Sequence, residues 1–511
     1  MRILLWHGWL LAGSGSNVYT ARVAEELRRR GHDVLLLCQE PHPERFASVD
    51  AWGAVGPEGV RLQGERADGA RGGGRVVLLR PAIGRLLPVF VRDEYEGFEV
   101  RRFVELRDEE LGAYLERNAL ALRAAHAWHG SEAVIAGHAV PGPAVARRAL
   151  GAGRYAAKAH GSDVLYAIEP DPRYRDLARE GLEGATAVVG SSRYALERLA
   201  RHVPAVRDRL VRVVPGVDVE RFRPADRREA LEAAAARLEA DRRAGGRPGS
   251  VDVAVADALA RRDGGALDAL ARAYDQDVPD PDAAGRLRSL AAYPGPLLGY
   301  LGKLIPAKGV DRFLGALADL PDVRGLVVGF GLFREWLTAL ILALDAGDAA
   351  ALAWLQDAGG MEPGRAGAGR GVRGRVTFTG RLDHRYAAEA LAALDVLVVP
   401  SVLPEAFGMV AAEAAAAGAI PLLARHSGLA ETAEALEAAA GAPGLCSFDP
   451  EAGAEGIAAG VRRILALPPD ERRRVRGALA AFVAREWTWA RTAGRLLAAA
   501  LGRAPDDPAA T

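Results

Sequence analysis

Two cysteines in 511 residues, Cys38 and Cys446, are too few for a disulfide framework and suggest no thiolate metal site. Each reads as a small buried apolar residue at a strand end. Net charge is also lacking: 66 Lys and Arg balance 66 Asp and Glu, so no global basic field argues for nucleic acid. The most apolar helical stretch, Trp336 to Leu355, is interrupted by Asp345, Gly347 and Asp348 and does not read as a membrane span. Met1-Arg2 leads directly into a strand, with no apolar signal-peptide core. A soluble, cytoplasmic protein is expected. The heavy Ala, Arg and Gly usage is attributed to coding bias and carries no functional information.

What is present is enough apolar sequence, half of the residues, for two or three cores. Arg2 to Trp6 reads as a strand, His7 to Ser16 as a loop containing Gly13-Ser14-Gly15-Ser16, and Asn17 to Arg30 as a helix. Val18, Ala21, Ala24 and Leu27 line one face of that helix, and Gly31 closes it. Asp33 to Cys38 completes a βαβ unit whose glycine loop opens the helix, a usual place for a phosphate. Gly13-x-Gly15 with Glu40 after the second strand is part of a dinucleotide fingerprint, but Val18 stands at the third glycine position.

Further strands are expected at Ala133–Ile135, Tyr155–Ala159, Ala187–Val189 and Val211–Val214. They end in Gly137-His138, His160-Gly161-Ser162-Asp163, Gly190-Ser191-Ser192 and Pro215-Gly216-Val217-Asp218. Ligands collect at such carboxyl ends, so His138 and His160 are candidates, whereas His126, His129 and His202 read as structural. The stretch from Arg92 to Leu106, with Tyr95-Glu96-Gly97-Phe98, reads as an exposed loop after a strand pair. The Arg28-Arg29-Arg30 cluster reads as a solvated helix end, with contact to anionic lipid as the alternative.

Ala225 to Ala292 reads as two or three surface helices, most flexible at Gly245–Gly249 and Asp275–Asp282. Asp275-Gln276-Asp277 reads as solvated loop rather than a metal-binding acid pair. The βαβ rhythm restarts with a strand at Leu297–Leu301, the loop Gly302-Lys303-Leu304-Ile305-Pro306-Ala307-Lys308-Gly309, and a helix at Val310–Leu320. Strands follow at Gly325–Val328, ending in Gly329-Phe330-Gly331, and at Arg375–Thr379, ending in Gly380-Arg381. Two lysines five apart on a glycine-bounded loop can reach a diphosphate as point charges. Phe333 to Gly371 reads as a helix pair and a mobile Gly/Arg-rich loop, Gly359–Gly371.

The rest of the chain is organised around Pro404-Glu405-Ala406-Phe407-Gly408-Met409-Val410-Ala411-Ala412-Glu413. A buried strand, Asp395 to Pro400, enters this segment, and an alanine-rich helix leaves it and stops at Gly418. Glu405 falls on the loop and Glu413 in the second helical turn. Between them lie unpaired helical N–H groups suited to phosphate. Two carboxylates flanking a phosphate site make sense if each holds hydroxyls, one set on a ribose and one on a second sugar. A nucleotide-sugar is the ligand that offers both.

These motifs together resemble glycosyltransferase family 4, a retaining family of GT-B fold. The resemblance rests on the N-terminal glycine loop, Pro215-Gly216-Val217-Asp218 with Phe222-Arg223-Pro224, Gly302-Lys303…Lys308-Gly309, Gly329-Phe330-Gly331 and the Glu-x7-Glu of Glu405 and Glu413. It implies an α/β architecture of two Rossmann-like, doubly wound domains facing across a cleft. An acceptor domain would span 1–216, a helical linker or insertion 217–292, and a nucleotide-sugar domain 293–485. A helix crossing back, with a tail, would occupy 486–511. It further implies that Lys303 and Lys308 neutralise the donor diphosphate, Glu413 holds the ribose and Glu405 lies beside the transferred sugar. Phe407 and the amides of Gly408, Met409 and Val410 line the sugar and phosphates, and the main chain at Arg381 packs against the base. Gly15 would approach the phosphate and His160 the sugar, making His160, Glu405 and Lys308 the catalytic set. Two positions depart from the family pattern. Lys303 stands where Arg is usual, which removes a bidentate phosphate contact, and His426-Ser427-Gly428 replaces a Gly-Gly pair.

The implied reaction moves a hexosyl group from a UDP- or GDP-sugar to the hydroxyl of a sugar, lipid or metabolite. The anomeric configuration is retained, with no metal or other cofactor required and no nucleic-acid partner. An NAD-dependent Rossmann oxidoreductase using Gly13, Gly15 and Glu40 is one alternative. A catalytically silent nucleotide- or glycan-binding relative is another.

Overall fold

A computed structural model describes residues 1–67, 73–91, 95–241, 246–362 and 371–503. Parts of the expected flexible stretches Gly245–Gly249 and Gly359–Gly371, and the start of the Arg92 segment, lie outside the described residues. The chain divides into two compact units, Met1–Gly216 with Thr488–Thr511, and Val217–Trp487.

The first unit is built on β1 (Arg2–Trp6), β2 (Asp33–Leu37), β3 (Ala51–Gly56), β4 (Gly59–Glu65) and β5 (Val76–Pro81). After β6 (Leu86–Val89) and β7 (Glu99–Arg102) come β8 (Ala133–Gly137), β9 (Ala156–Lys158), β10 (Val188–Gly190) and β11 (Leu210–Arg212). Nine of these form one sheet in the order β11-β10-β9-β8-β1-β2-β5-β3-β4, parallel except for the β3–β4 pairing. Strands such as β1 and β2 are buried on both faces, as a sheet with helices on each side requires. The helices are α1 (Gly15–Arg29), α2 (Asp108–His129), α3 (Gly142–Leu150), α4 (Pro172–Glu183) and α5 (Arg193–His202).

Several expectations are corrected here. Helix α1 begins at Gly15, two residues early, because the Ser14 hydroxyl accepts from the Asn17 amide and caps it. Its buried face runs through Tyr19, Thr20, Val23 and Leu27, while Val18 and Ala21 are only half-buried. From Tyr95 to Leu106 the stretch is not an open loop: β7 pairs in parallel with β6, and Phe103 and Leu106 are buried. The strands β5 and β6 stand where a strand pair is expected, whereas the hairpin β3–β4 is not anticipated. The Arg28–Arg30 cluster forms internal pairs, Arg28 with Asp50 and both Arg29 and Arg30 with Glu26, so it is no free cationic patch.

The second unit opens with four helices, α6 (Arg227–Ala240), α7 (Val251–Ala260), α8 (Gly264–Ala271) and α9 (Ala283–Ala291), one or two more than expected. They are not merely on the surface. Leu231, Ala234 and Ala235 of α6 are fully buried, and Leu267 of α8 and Leu287 of α9 are too. The sheet follows: β12 (Leu297–Lys303), α10 (Val310–Ala318), β13 (Arg324–Phe330), α11 (Arg334–Ala346), α12 (Ala349–Gly359), β14 (Val376–Phe378), α13 (His384–Ala392) and β15 (Val396–Val399). Next come α14 (Met409–Ala416), β16 (Ile420–Ala424), α15 (Ser427–Ala440), β17 (Ser447–Phe448), α16 (Gly453–Leu465) and α17 (Pro469–Glu486). The strand order is β14-β13-β12-β15-β16-β17, all parallel. Helix α18 (Trp489–Ala500) returns to the first unit, where it packs on α1.

Two features tie the first helices of the second unit to its sheet. Arg247 and Glu335 form a buried bidentate pair with bonds of 2.8 and 2.7 Å. The expected flexible stretch Asp275–Asp282 is pinned instead: the Asp280 amide donates to Thr379 O at 2.8 Å, and Gln276 Oε1 accepts from the Gly331 amide at 3.2 Å.

Candidate functional site

In an open parallel sheet, ligands bind where the strand order reverses, outside the carboxyl ends. In the second unit that point lies between β12 and β15, strands adjacent in space but distant in sequence. The loops leaving these two strands are the lysine loop and the Glu-x7-Glu segment. They are joined by their backbones. The amides of Val402 and Leu403 donate to Ala307 O at 3.0 and 3.3 Å. Gly309 sits at φ 64°, and a Cβ there would lie 2.2 Å from Pro400 O, so only glycine permits the approach.

On this base Lys308 Nζ donates to Glu405 Oε1 at 2.7 Å, and the Ser401 hydroxyl donates to the same oxygen. Burial pushes the Glu405 carboxyl up, but the Lys308 charge and these hydrogen bonds outweigh it and hold the group below the usual carboxylate range. A third loop, after β16, supports the arrangement. The Glu405 amide donates to Ser427 Oγ at 3.0 Å, the Gly428 amide donates to Glu405 O at 2.9 Å, and His426 Nε2 lies 2.6 Å from Ser401 O. His426-Ser427-Gly428, noted in the sequence as a departure, therefore fixes the Glu405 loop.

Phe407 is buried and meets Trp487 edge-on at 5.1 Å, and its carbonyl accepts from Thr432 Oγ1 at 2.7 Å. Gly408, at φ 85°, caps α14 without any side-chain hydrogen bond, so no side chain closes the helix end at Met409 and Val410. Glu413 follows one turn on and is half-buried.

Lys303 ends β12 rather than standing in a free loop. Its ammonium lies 5.8 Å from the Phe330 ring, and the Arg381 guanidinium lies 4.7 Å from that same ring. Arg381 also pairs with Asp277 at 2.6 Å. Beside them is a small cleft lined by Tyr274, Gln276, Leu304, Gly329, Phe330, Arg334 and Gly380 among others.

In the first unit, Gly15 is the exposed first residue of α1, and His160 follows β9. The order of the first sheet reverses at β1 and β8, whose ends carry His7 and His138. The His138 and His160 rings stand 4.5 Å apart, with Trp9 4.3 Å from His138. Asp163, fully buried, accepts from the amides of Ala139, His160, Gly161 and Val164, which fastens the loop after β9 to the loop after β8. Glu40 accepts from the amides of Leu11 and His42, each at 3.1 Å. Its carboxylate holds two loops rather than standing ready for a ribose.

Sequence reasoning gave no role to Ser401, Ser427, Asp163 or Lys158. The polar strand-end loops were a signal for the first three. Lys158, inside a short strand, gave none. Among the described residues no group of three or more His, Cys, Asp or Glu could hold a metal ion, and no helix is long and apolar enough to cross a membrane.

The family described as glycosyl transferases group 1 matches residues 368–479, which include α14 and both glutamates. Comparison with curated proteins gave no match. Among solved structures, the chain is similar to sucrose-phosphate synthase from Thermosynechococcus elongatus, at 19% identity over 96% of each chain with a TM-score of 0.54. It is similar to HepE from Anabaena, solved with UDP-glucose, at 13% identity over 97% of this chain and 98% of that one, TM-score 0.57. A glycosyltransferase from Rickettsia africae gives 13% identity, coverage of 96% and 95%, and a TM-score of 0.54. At these identities the likeness establishes the fold, which is GT-B.

Proposed function

We propose that this chain is a retaining glycosyltransferase of family 4 type that moves a hexosyl group from a UDP- or GDP-sugar to an acceptor hydroxyl. The observation that carries the reading is the Lys308–Glu405 pair at the point where the second sheet reverses, within one turn of an uncapped helix N-terminus. The match of residues 368–479 to a glycosyltransferase family supports it.

In this reading Lys303, Lys308 and the α14 N-terminus meet the negative charge that grows on the departing diphosphate as the C1–O bond breaks. The sugar becomes oxocarbenium-like, and the acceptor hydroxyl oxygen bonds to C1 on the face the diphosphate leaves, its proton passing to the departing phosphate oxygen. Losing one such aimed donor costs about 3 kcal/mol of transition-state stabilisation. Glu413 holds the ribose hydroxyls and Glu405 those of the sugar. The amides of Gly408, Met409 and Val410 serve the phosphates, Phe407 shapes the turn, and the main chain at Arg381 packs on the base. In the first unit, His160 serves a sugar hydroxyl and Gly15 a phosphate. No metal or other cofactor enters the scheme.

The oxidoreductase alternative is disfavoured by Glu40, whose carboxylate already serves two backbone amides. The test is proton NMR of the sugar released from UDP-glucose and GDP-mannose. Slow release with the α anomer formed first supports retention. Formation of the β anomer first contradicts it, and no release from any nucleotide-sugar favours a silent binding relative.

A further inference from the structure

The ends of β8, β9 and β10 hold a polar group that the transfer scheme does not use. Lys158, the last residue of β9, is 2% exposed. An ammonium at that depth ordinarily has a carboxylate partner. Among the described residues none stands within ion-pair distance of it. Its Nζ donates to Ala159 O at 2.7 Å and Ser191 Oγ at 3.3 Å, and lies 4.8 Å over the Tyr19 ring. The carboxylate whose charge favours it, Asp163, is already bonded to four backbone amides.

His160 is half-buried, and charged and aromatic groups face it from several elements. His138 faces it from the end of β8 at 4.5 Å between rings, and His7, from the end of β1, stands 5.8 Å from His138. Tyr19 of α1 meets His160 edge-on at 5.4 Å and is itself backed by Trp489 of α18. Lys158 is two residues away, and Asp163 accepts from the His160 amide. The cluster thus contains three imidazoles, one ammonium and a carboxylate committed to the backbone. His138 Nδ1 and the Tyr19 hydroxyl are buried without a hydrogen-bond partner.

We propose that Lys158 is a positioning residue for His160: its buried ammonium, clamped by Ser191 and lying over the Tyr19 ring that His160 also meets, keeps the imidazole uncharged, so that the ring presents one donor and one acceptor to a hydroxyl-bearing ligand. The ligand assignment rests on the transferase reading, but the coupling between the two side chains does not. A cation in a low-dielectric site disfavours a second one nearby. In keeping with this, His160 is pushed well below the ordinary imidazole value by burial first, then by Lys158, then by His138 and His7. Lys158 is itself pushed down to about 8 by burial. The arrangement differs from a structural lysine in that deleting the charge alone, at constant shape, must change the titration of another residue.

The test is NMR titration of histidine-labelled full-length protein, with the His160 resonance assigned through His160→Gln. In the wild type the ring should stay neutral on acidification through pH 6. Lys158→Met should raise its midpoint by roughly one unit, and Lys158→Arg, which keeps the charge, should not. An unchanged His160 titration in a folded Lys158→Met protein overturns the proposal. Should that variant not fold, the wild type suffices: the His160 shift must show a step as Lys158 loses its proton near pH 8, and its absence overturns the proposal equally. Nucleotide binding by the same samples reports on the transferase reading separately, since the imidazole readout needs no donor.

Discussion

Lys308 Nζ and Glu405 Oε1 meet at 2.7 Å across the line where the strand order of the second sheet reverses, each on a loop leaving a neighbouring strand. The pair does two things. It cancels the charge of a carboxylate that is four-fifths buried, and it holds a cation at the mouth of an uncapped helix.

The first prediction concerns pH. Glu405 is held below its ordinary value, so its contribution to stability is present above about pH 4.5 and is lost as pH falls through the lowered folded value. Lys308→Ala removes the first-ranking stabiliser of the carboxylate. It should cost roughly 1–2 kcal/mol at pH 7, allowing for partial solvent screening, with the difference from wild type shrinking below about pH 4. Urea unfolding at a series of pH values measures it. A constant difference across the range contradicts the assigned pairing.

The second concerns the loop after β16. A Cβ on Gly428 would lie 2.2 Å from Ala406 O and 2.8 Å from Glu405 O, all backbone contacts that cannot swing aside. Gly428→Ala should therefore displace the Glu405 loop and weaken nucleoside diphosphate binding at least about tenfold, or about 1.4 kcal/mol. Gly477→Ala, with no atom within 4 Å and, like Gly428, no positive φ, controls for the loss of a glycine alone. Equal affinities for the two variants would mean that the loop after β16 does not set the site.

The sequence was most legible where apolar runs met glycine. The strands entering the lysine loop and the Glu-x7-Glu segment were read to within two residues, because parallel strands buried on both faces leave short runs without a charged residue, Leu-Leu-Gly-Tyr-Leu and Val-Leu-Val-Val. The segment from Ala51 to Glu65 was not read. Its strand β4 is largely exposed and carries Arg61, Gln63 and Glu65, so no apolar pattern marks it. Asp275–Asp282 resembled a linker because its stabilising contacts are backbone bonds to Thr379 and Gly380, invisible to composition. The candidate residues Lys308 and Glu405 were identified as separate motifs, whereas their contact needed the topology. Lys158 was missed because a lysine at the end of a three-residue strand carries no positional signature.

A third prediction tests whether the helices before β12 belong to the second unit's core. Arg247 and Glu335 are 3% and 0% exposed at the side chain, and Tyr274 also donates to Glu335. Arg247→Ala leaves a buried carboxylate without its cation and should destabilise by about 3–5 kcal/mol, whereas a double apolar replacement, Arg247→Met with Glu335→Leu, should recover most of the loss. Amide exchange in α7 and α11 should rise together in the single variant. Faster exchange in α7 alone would mean that these helices are only an appendage.

The central claim is that the second unit binds a nucleoside diphosphate through Lys308 and Glu413. The most direct measurement is thermal unfolding of the wild type, Lys308→Ala and Glu413→Ala with UDP, GDP, ADP and NAD⁺. Stabilisation by one nucleoside diphosphate, about 2.7 kcal/mol at a hundredfold excess over Kd, that both variants lose is the predicted result, and it would name the donor's base. Stabilisation by NAD⁺ alone, or by a diphosphate equally in all three proteins, would contradict the account.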